Sequence, residues 1–315
     1  MVEGMGSFKE LLSEVFNNAR QPAAPRLVRL SGLGSDEMAA FEERCKHAKP
    51  ERRRYLVASL VTLSQNNVEY DFSAVFRFAL ADSDCEVRLR ALDGLEESED
   101  YRLVAPLISM MTGDPAPEVR AAAAGRLGSF ALLAETGKIG RSHSQNIYKA
   151  LMNRVHDLNE KDEVRAEALK SVAVFSVPEI TGLIERAYVE ESPVMKAGAV
   201  AAMGRTCDPA WLPSIVKEIS SQRVEIRRAA PGAAGELEKE ESVPHLIRLT
   251  RDEVIEVKEA AIAALGQIGG EVARKVLENL SRSPVKRVQA AARAALSELS
   301  FWEMPMDMKG KASPS

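Results

Sequence analysis

Apolar residues recur along this chain at positions 0, +4, +8 and often +11 of a repeating unit, as in Val257, Ala261, Leu265 and Ile268. Spacings of three and four place such side chains on one stripe of an α-helix. The unit returns with an aliphatic anchor at Val87, Val119, Val164, Met195, Ile226, Val257 and Val288. The last five anchors are 31 residues apart, while the first gap is 32 and the second 45. One position on, the series reads Arg88, Arg120, Arg165, Lys196, Arg227, Lys258 and Gln289, and four positions on it is always alanine. Nine positions on, glycine stands at Gly128, Gly204, Gly235 and Gly266. Seven copies at so regular a spacing define an internal repeat.

Ahead of each anchored run lies a shorter amphipathic one, such as WLPSIVKEI at 211–219 or VPHLIRLT at 243–250. Proline stands thirteen residues before the anchor at Pro106, Pro213 and Pro244. The first turn of a helix tolerates proline, because the N–H it lacks has no partner there. Each repeat therefore reads as two antiparallel helices, A then B. Fixing about thirty residues costs on the order of 30–60 kcal/mol of backbone entropy, and one hairpin covers a single seam. Stacking covers the seam on both sides, so the copies form an array.

An acidic residue, an aliphatic anchor five positions later, a basic residue next, then alanine and often Leu-Gly, on a period near 31, resembles HEAT repeats, and most of all the short bacterial type found in phycobilin lyase-like proteins. The resemblance covers about 70–300 well and 35–66 more loosely. It implies an all-α fold, an α-solenoid coiled as a right-handed superhelix of about eight antiparallel helix pairs. It also implies a ladder along the stack, built from an acidic residue and the basic residue six positions after it. Asp82 with Arg88, Asp114 with Arg120, Glu190 with Lys196 and Asp252 with Lys258 fit that pattern, while Arg165 and Arg227 keep the basic half alone. The organisation expected is an N-terminal amphipathic helix (near 7–19) and linker over 1–34, the repeats over 35–300, and a disordered tail over 301–315.

Composition narrows the function classes. A net charge of −4 gives no global cationic field, so nucleic acid is not an expected partner. The three cysteines, Cys45, Cys85 and Cys207, are scattered, which fits a reducing compartment rather than a disulfide framework. The first twenty residues hold no apolar h-region and no run of eighteen apolar residues occurs, so neither a signal peptide nor a membrane span is expected, and the location expected is cytoplasmic.

Candidate chemistry is sparse. His47, His143, His156 and His245 have no companions at metal-ligand spacing apart from the Cys45-Lys46-His47 pair. No histidine precedes a glutamate, as the iron ligands of the HEAT-like deoxyhypusine hydroxylase would require. Phosphate-loop and nucleophile-elbow motifs are missing too, so no catalytic residue, cofactor or metal is expected. A bilin lyase-like activity rests on the resemblance alone.

Interest falls instead on departures from the repeat. The 45-residue gap carries an insertion around 134–146 with Lys138, Arg141 and His143; the plain alternative is a longer B helix followed by a polar loop. The segment KHAKPERRR at 46–54 sets Arg52, Arg53 and Arg54 together as a possible anion site, against the plain alternative of a solvated charged face. Pro231-Gly232 predicts either a kinked B helix or a late helix start. Positions +2, +6 and +9 of the B helices are small at most copies, and Arg205 and Arg228 lie on the same face. Two readings are open for them, a shallow groove that accepts a protein or peptide, or close packing of B helices. The function expected is a non-catalytic scaffold or adaptor.

Overall fold

The computed structural model describes residues 2–175, 177–190 and 192–303. Among them every regular element is helical. The expected tail lies outside this range from residue 304 on. Residues 1–103 with 109–126 form one compact unit, and 104–108 with the chain from 127 onward form a second.

In chain order the helices are α1 (Val2–Val15), α2 (Ala24–Val28), α3 (Ser35–Lys46), α4 (Pro50–Asn66), α5 (Ser73–Ala79), α6 (Cys85–Gly94), α7 (Val104–Gly113), α8 (Pro117–Glu135) and α9 (Arg141–His156). There follow α10 (Asp162–Val172), α11 (Pro178–Glu190), α12 (Pro193–Arg205), α13 (Leu212–Glu218), α14 (Val224–Leu237), α15 (Val243–Leu249), α16 (Ile255–Ile268), α17 (Gly270–Leu280) and α18 (Lys286–Glu303). From α3 onward they are eight A–B pairs, and the architecture is an α-solenoid.

In the first unit, α1 buries Phe8, Leu11, Leu12 and Val15, one stripe at spacings of three and four. Phe16 meets Phe41 of α3 with ring centroids 5.4 Å apart, and Phe41 meets Phe78 edge-on at 6.3 Å. The segment read as a linker is partly helical. Pro25 starts α2, and Leu27 and Leu30 are buried.

In the second unit the B helices α10, α12, α14, α16 and α18 pack side by side, each against the next. Their anchors Val164, Met195, Ile226, Val257 and Val288 are all buried. The alanines four positions on, Ala168, Ala199, Ala230, Ala261 and Ala292, have no exposed surface. Pro213 and Pro244 sit in the first turns of α13 and α15, and Pro193 opens α12 behind Ser192, whose hydroxyl accepts the Met195 amide.

Glycine sets how closely those helices approach. A methyl group built on Gly198 would stand 2.6 Å from the Ala166 methyl, and one on Gly266 2.8 Å from that of Ala295. At Gly204 it would stand 2.5 Å from the Cα of Ala233, which is backbone and cannot rotate away. The +9 glycines are thus seam positions, and close packing is the reading that applies to them. Gly232, at +6, is different: a methyl group there meets nothing within 4 Å.

Pro231 lies inside a continuous α14, so the late helix start is excluded. It is buried, and it leaves the carbonyl of Arg227 without its i+4 donor. The long gap between anchors is built from the nineteen residues of α8 and the sixteen of α9, joined by a short turn. Gly137, at φ +76, closes α8, with Gly137 N–H donating to Ala134 and Lys138 N–H donating to Leu133 at 2.8 Å.

Two substitutions test the seam. Gly204→Ala should lower the unfolding free energy by about 1–3 kcal/mol, as overpacking does. Gly232→Ala should raise it by about 0.5–1 kcal/mol, as removal of an unneeded glycine from a helix does. Urea unfolding of both variants measures the contrast; equal effects would contradict the assignment of the two glycines.

Candidate partner-binding surface

Four basic residues of the B helices, Arg53, Arg88, Lys196 and Arg227, reach across to a carboxylate of the next repeat. Arg53 sets Nε and Nη2 on the two carboxylate oxygens of Asp82 at 2.7 and 2.8 Å, and its Nη1 on the Ala48 carbonyl at 2.6 Å. Arg88 grips Asp114 through two bonds of 2.7 Å and donates to the Asp82 carbonyl at 2.8 Å. Arg227 holds Asp252 at 2.7 Å and donates to the Ser221 carbonyl at 2.8 Å. The pairing therefore differs from the six-residue pattern expected of the sequence. Each aspartate gives its carboxylate to the arginine of the preceding repeat. Asp82 and Asp114 also offer their backbone carbonyls to the arginines six positions later, to Arg88 at 2.8 Å and to Arg120 at 2.6 Å. A planar guanidinium can serve both acceptors at once.

Where the carboxylate is missing, a substitute stands nearby. Ser221 occupies the aspartate position, and Glu218, one turn earlier in α13, takes Lys196 at 3.0 Å instead. The Tyr188 hydroxyl donates to the same Glu218 oxygen at 2.7 Å, and the Lys196 ammonium lies 4.6 Å from the centre of the Tyr188 ring. Arg165 turns to Asp162 at 3.0 Å and to the Val155 carbonyl at 3.2 Å. The Glu190 side chain lies outside the described residues. The charge of Lys258 reaches Asp252, whose carboxyl burial pushes up but which Arg227, the Val254 amide and Lys258 together hold below its usual value.

The three arginines of 46–54, weighed as an anion site or a solvated charged face, all have partners within the protein. Arg52 is buried and donates to the carbonyls of Asn17 and Arg20, the latter at 2.7 Å. Arg53 is buried in the ladder. Arg54 lies on Asp84 at 2.9 and 2.5 Å, which holds that carboxyl below its ordinary range. These arginines are bound to carbonyls and carboxylates of the protein itself, contacts between chain segments that local periodicity does not reveal. Cys45 and His47 also part company. Burial, then the charge of Asp82, push the Cys45 thiol up to about 12 against the opposing effect of Arg53, so it stays protonated. His47 is exposed and meets Glu43 at 3.2 Å. Among the described residues no three His, Cys, Asp or Glu side chains gather to hold a metal ion.

Lys138 lies in the turn after α8, and Arg141 and His143 in the first turn of α9, one repeat before α12, which carries Arg205, and two before α14, which carries Arg228. Arg205 and Arg228 lie on α12 and α14. Arg205 ends α12 with Nη1 3.5 Å from Glu236, which lies in the last turn of α14. Arg205 Nε and Glu236 Oε2 are buried with no hydrogen-bond partner among the described residues. Burial raises the Glu236 carboxyl above its ordinary value, and Arg205 and Lys170 only partly offset it. Arg228 is exposed in the second turn of α14. The Glu256 carboxyl is held low by its own backbone amide first, then by Arg287, and by Arg228 last among the causes.

Ala166, at +2 in α10, is buried like the +9 glycines, whereas the +2 and +6 positions Arg228, Gly232, Ala263, Ala290 and Ala294 are exposed. Between α16 and α18 the exposed ones line an open groove of about 490 Å³. Its floor is Ala263, Ala290, Ala291 and Ala294. At one end Arg287 donates to Glu259 at 2.8 and 2.6 Å and to Glu256 at 3.2 Å; at the other stands Glu298. The floor holds no nucleophile, acid or base, so what it offers a ligand is apolar surface between charged ends.

A model of HEAT repeats matches residues 74–137 and 212–297 of the chain. Among solved structures the chain is similar to human deoxyhypusine hydroxylase in complex with glycerol, at 15% identity over 95% of this chain and 99% of that one, with a TM-score of 0.39. It is similar also to yeast importin-beta, at 14% identity over 95% of this chain and 46% of that one, with a TM-score of 0.44. An engineered protein matches at 17% identity over 95% and 90% of the two chains, with a TM-score of 0.38. No curated protein matches the chain. No helix among the described residues is long and apolar enough to cross a membrane.

Two carboxylates give opposite pH signatures. Asp252 has a lowered pKa in the folded state, so its pairing stabilises the fold above the unfolded value near ~3.9 and is lost as pH falls through the folded one. Asp252→Asn should cost about 3 kcal/mol at neutral pH, as breaking a buried pair does, and should flatten the acid limb of a stability–pH curve. Glu236 has a raised pKa, so the folded state binds its proton more tightly and ionisation at neutral pH is destabilising. Glu236→Gln should therefore raise stability at neutral pH by up to about 1 kcal/mol, the scale of relieving an unsatisfied buried acceptor, with the gain vanishing on acidification. Urea titrations across the acid range check both signs.

Proposed function

We propose that this protein is a non-catalytic scaffold or adaptor that binds a protein or peptide partner along the outward face of its B helices in the second unit. The observation that carries the reading is the alanine-floored groove between α16 and α18, where side chains short enough to leave the helix surface open lie between charged ends. A floor of methyl groups accepts an apolar side chain from a partner, and the flanking charges fix its register. Arg228, exposed two helices away from α18 on the same face, belongs to this surface. Arg205 lies at its edge, tied to Glu236. The arginines at 52 and 53 have no part in it, since both are buried in the first unit. A bilin lyase-like role finds no support in the side chains of the groove.

Photo-cross-linking in an extract of the native host tests the reading. A benzophenone amino acid at Ala263 or Ala294 should capture a discrete protein adduct, and one at the exposed Glu278 of α17 should not. Arg228→Glu should weaken that adduct about tenfold, equivalent to roughly 1.4 kcal/mol. Equal capture from both faces, or none from the groove, would count against a binding role for this surface.

A further inference from the structure

We draw no further inference here: the strongest candidate, the alanine-floored groove between α16 and α18, belongs to the binding face already described, and nothing in the structure shows what covers it.

Discussion

Close approach of neighbouring B helices is the constraint on which the second unit depends. Five such helices share buried seams in which the residue four after each anchor is alanine without exposed surface. At Gly198, Gly204 and Gly266 not even one methyl group fits without displacing the neighbour. Dispersion attraction falls steeply with separation, so helices brought together by small residues gain contact along their whole length. The A helices α13 and α15, only seven residues each, could not hold such an array by themselves. A B helix without its neighbours would expose one seam on each side, which makes the unit cooperative between adjacent repeats.

The arginine ladder adds direction to that packing. Arg53, Arg88 and Arg227 each join a carbonyl of their own A–B turn to the aspartate of the next. Ion pairs this buried offer modest net stabilisation, because desolvation offsets the attraction, but an unpaired member is costly. The ladder therefore penalises misregistered stacking more than it strengthens correct stacking. The Lys196–Glu218–Tyr188 cluster serves the junction where Ser221 stands in place of the aspartate. Because these charges are engaged within the repeats, the outward B face keeps a sparser set, which the proposed binding role uses.

Much of this was legible in the sequence. The anchors, the alanines at +4 and the prolines at −13 locate the helix pairs, because one turn of helix and one repeat impose their own periods. The division of small residues between seam and groove was not legible. Gly204 and Gly232 are alike in composition, and only the position of Ala233 separates a glycine that must stay from one that need not. The partners of Arg52 and Arg53 lie about thirty residues away along the chain, beyond the reach of local periodicity. The short helix α2 hid in a segment read as a linker because two buried leucines are too few to show a period.

Native-state hydrogen exchange of the whole chain tests the central claim most directly, since it reports the opening free energy of each helix separately. If the B-helix seams hold the second unit together, the amides at the centres of α12, α14 and α16 exchange slowest and with similar opening free energies. The amides of α13 and α15 then exchange sooner. Slowest exchange in the A helices, or near-unprotected amides at Ala199, Ala230 and Ala261, would contradict the account.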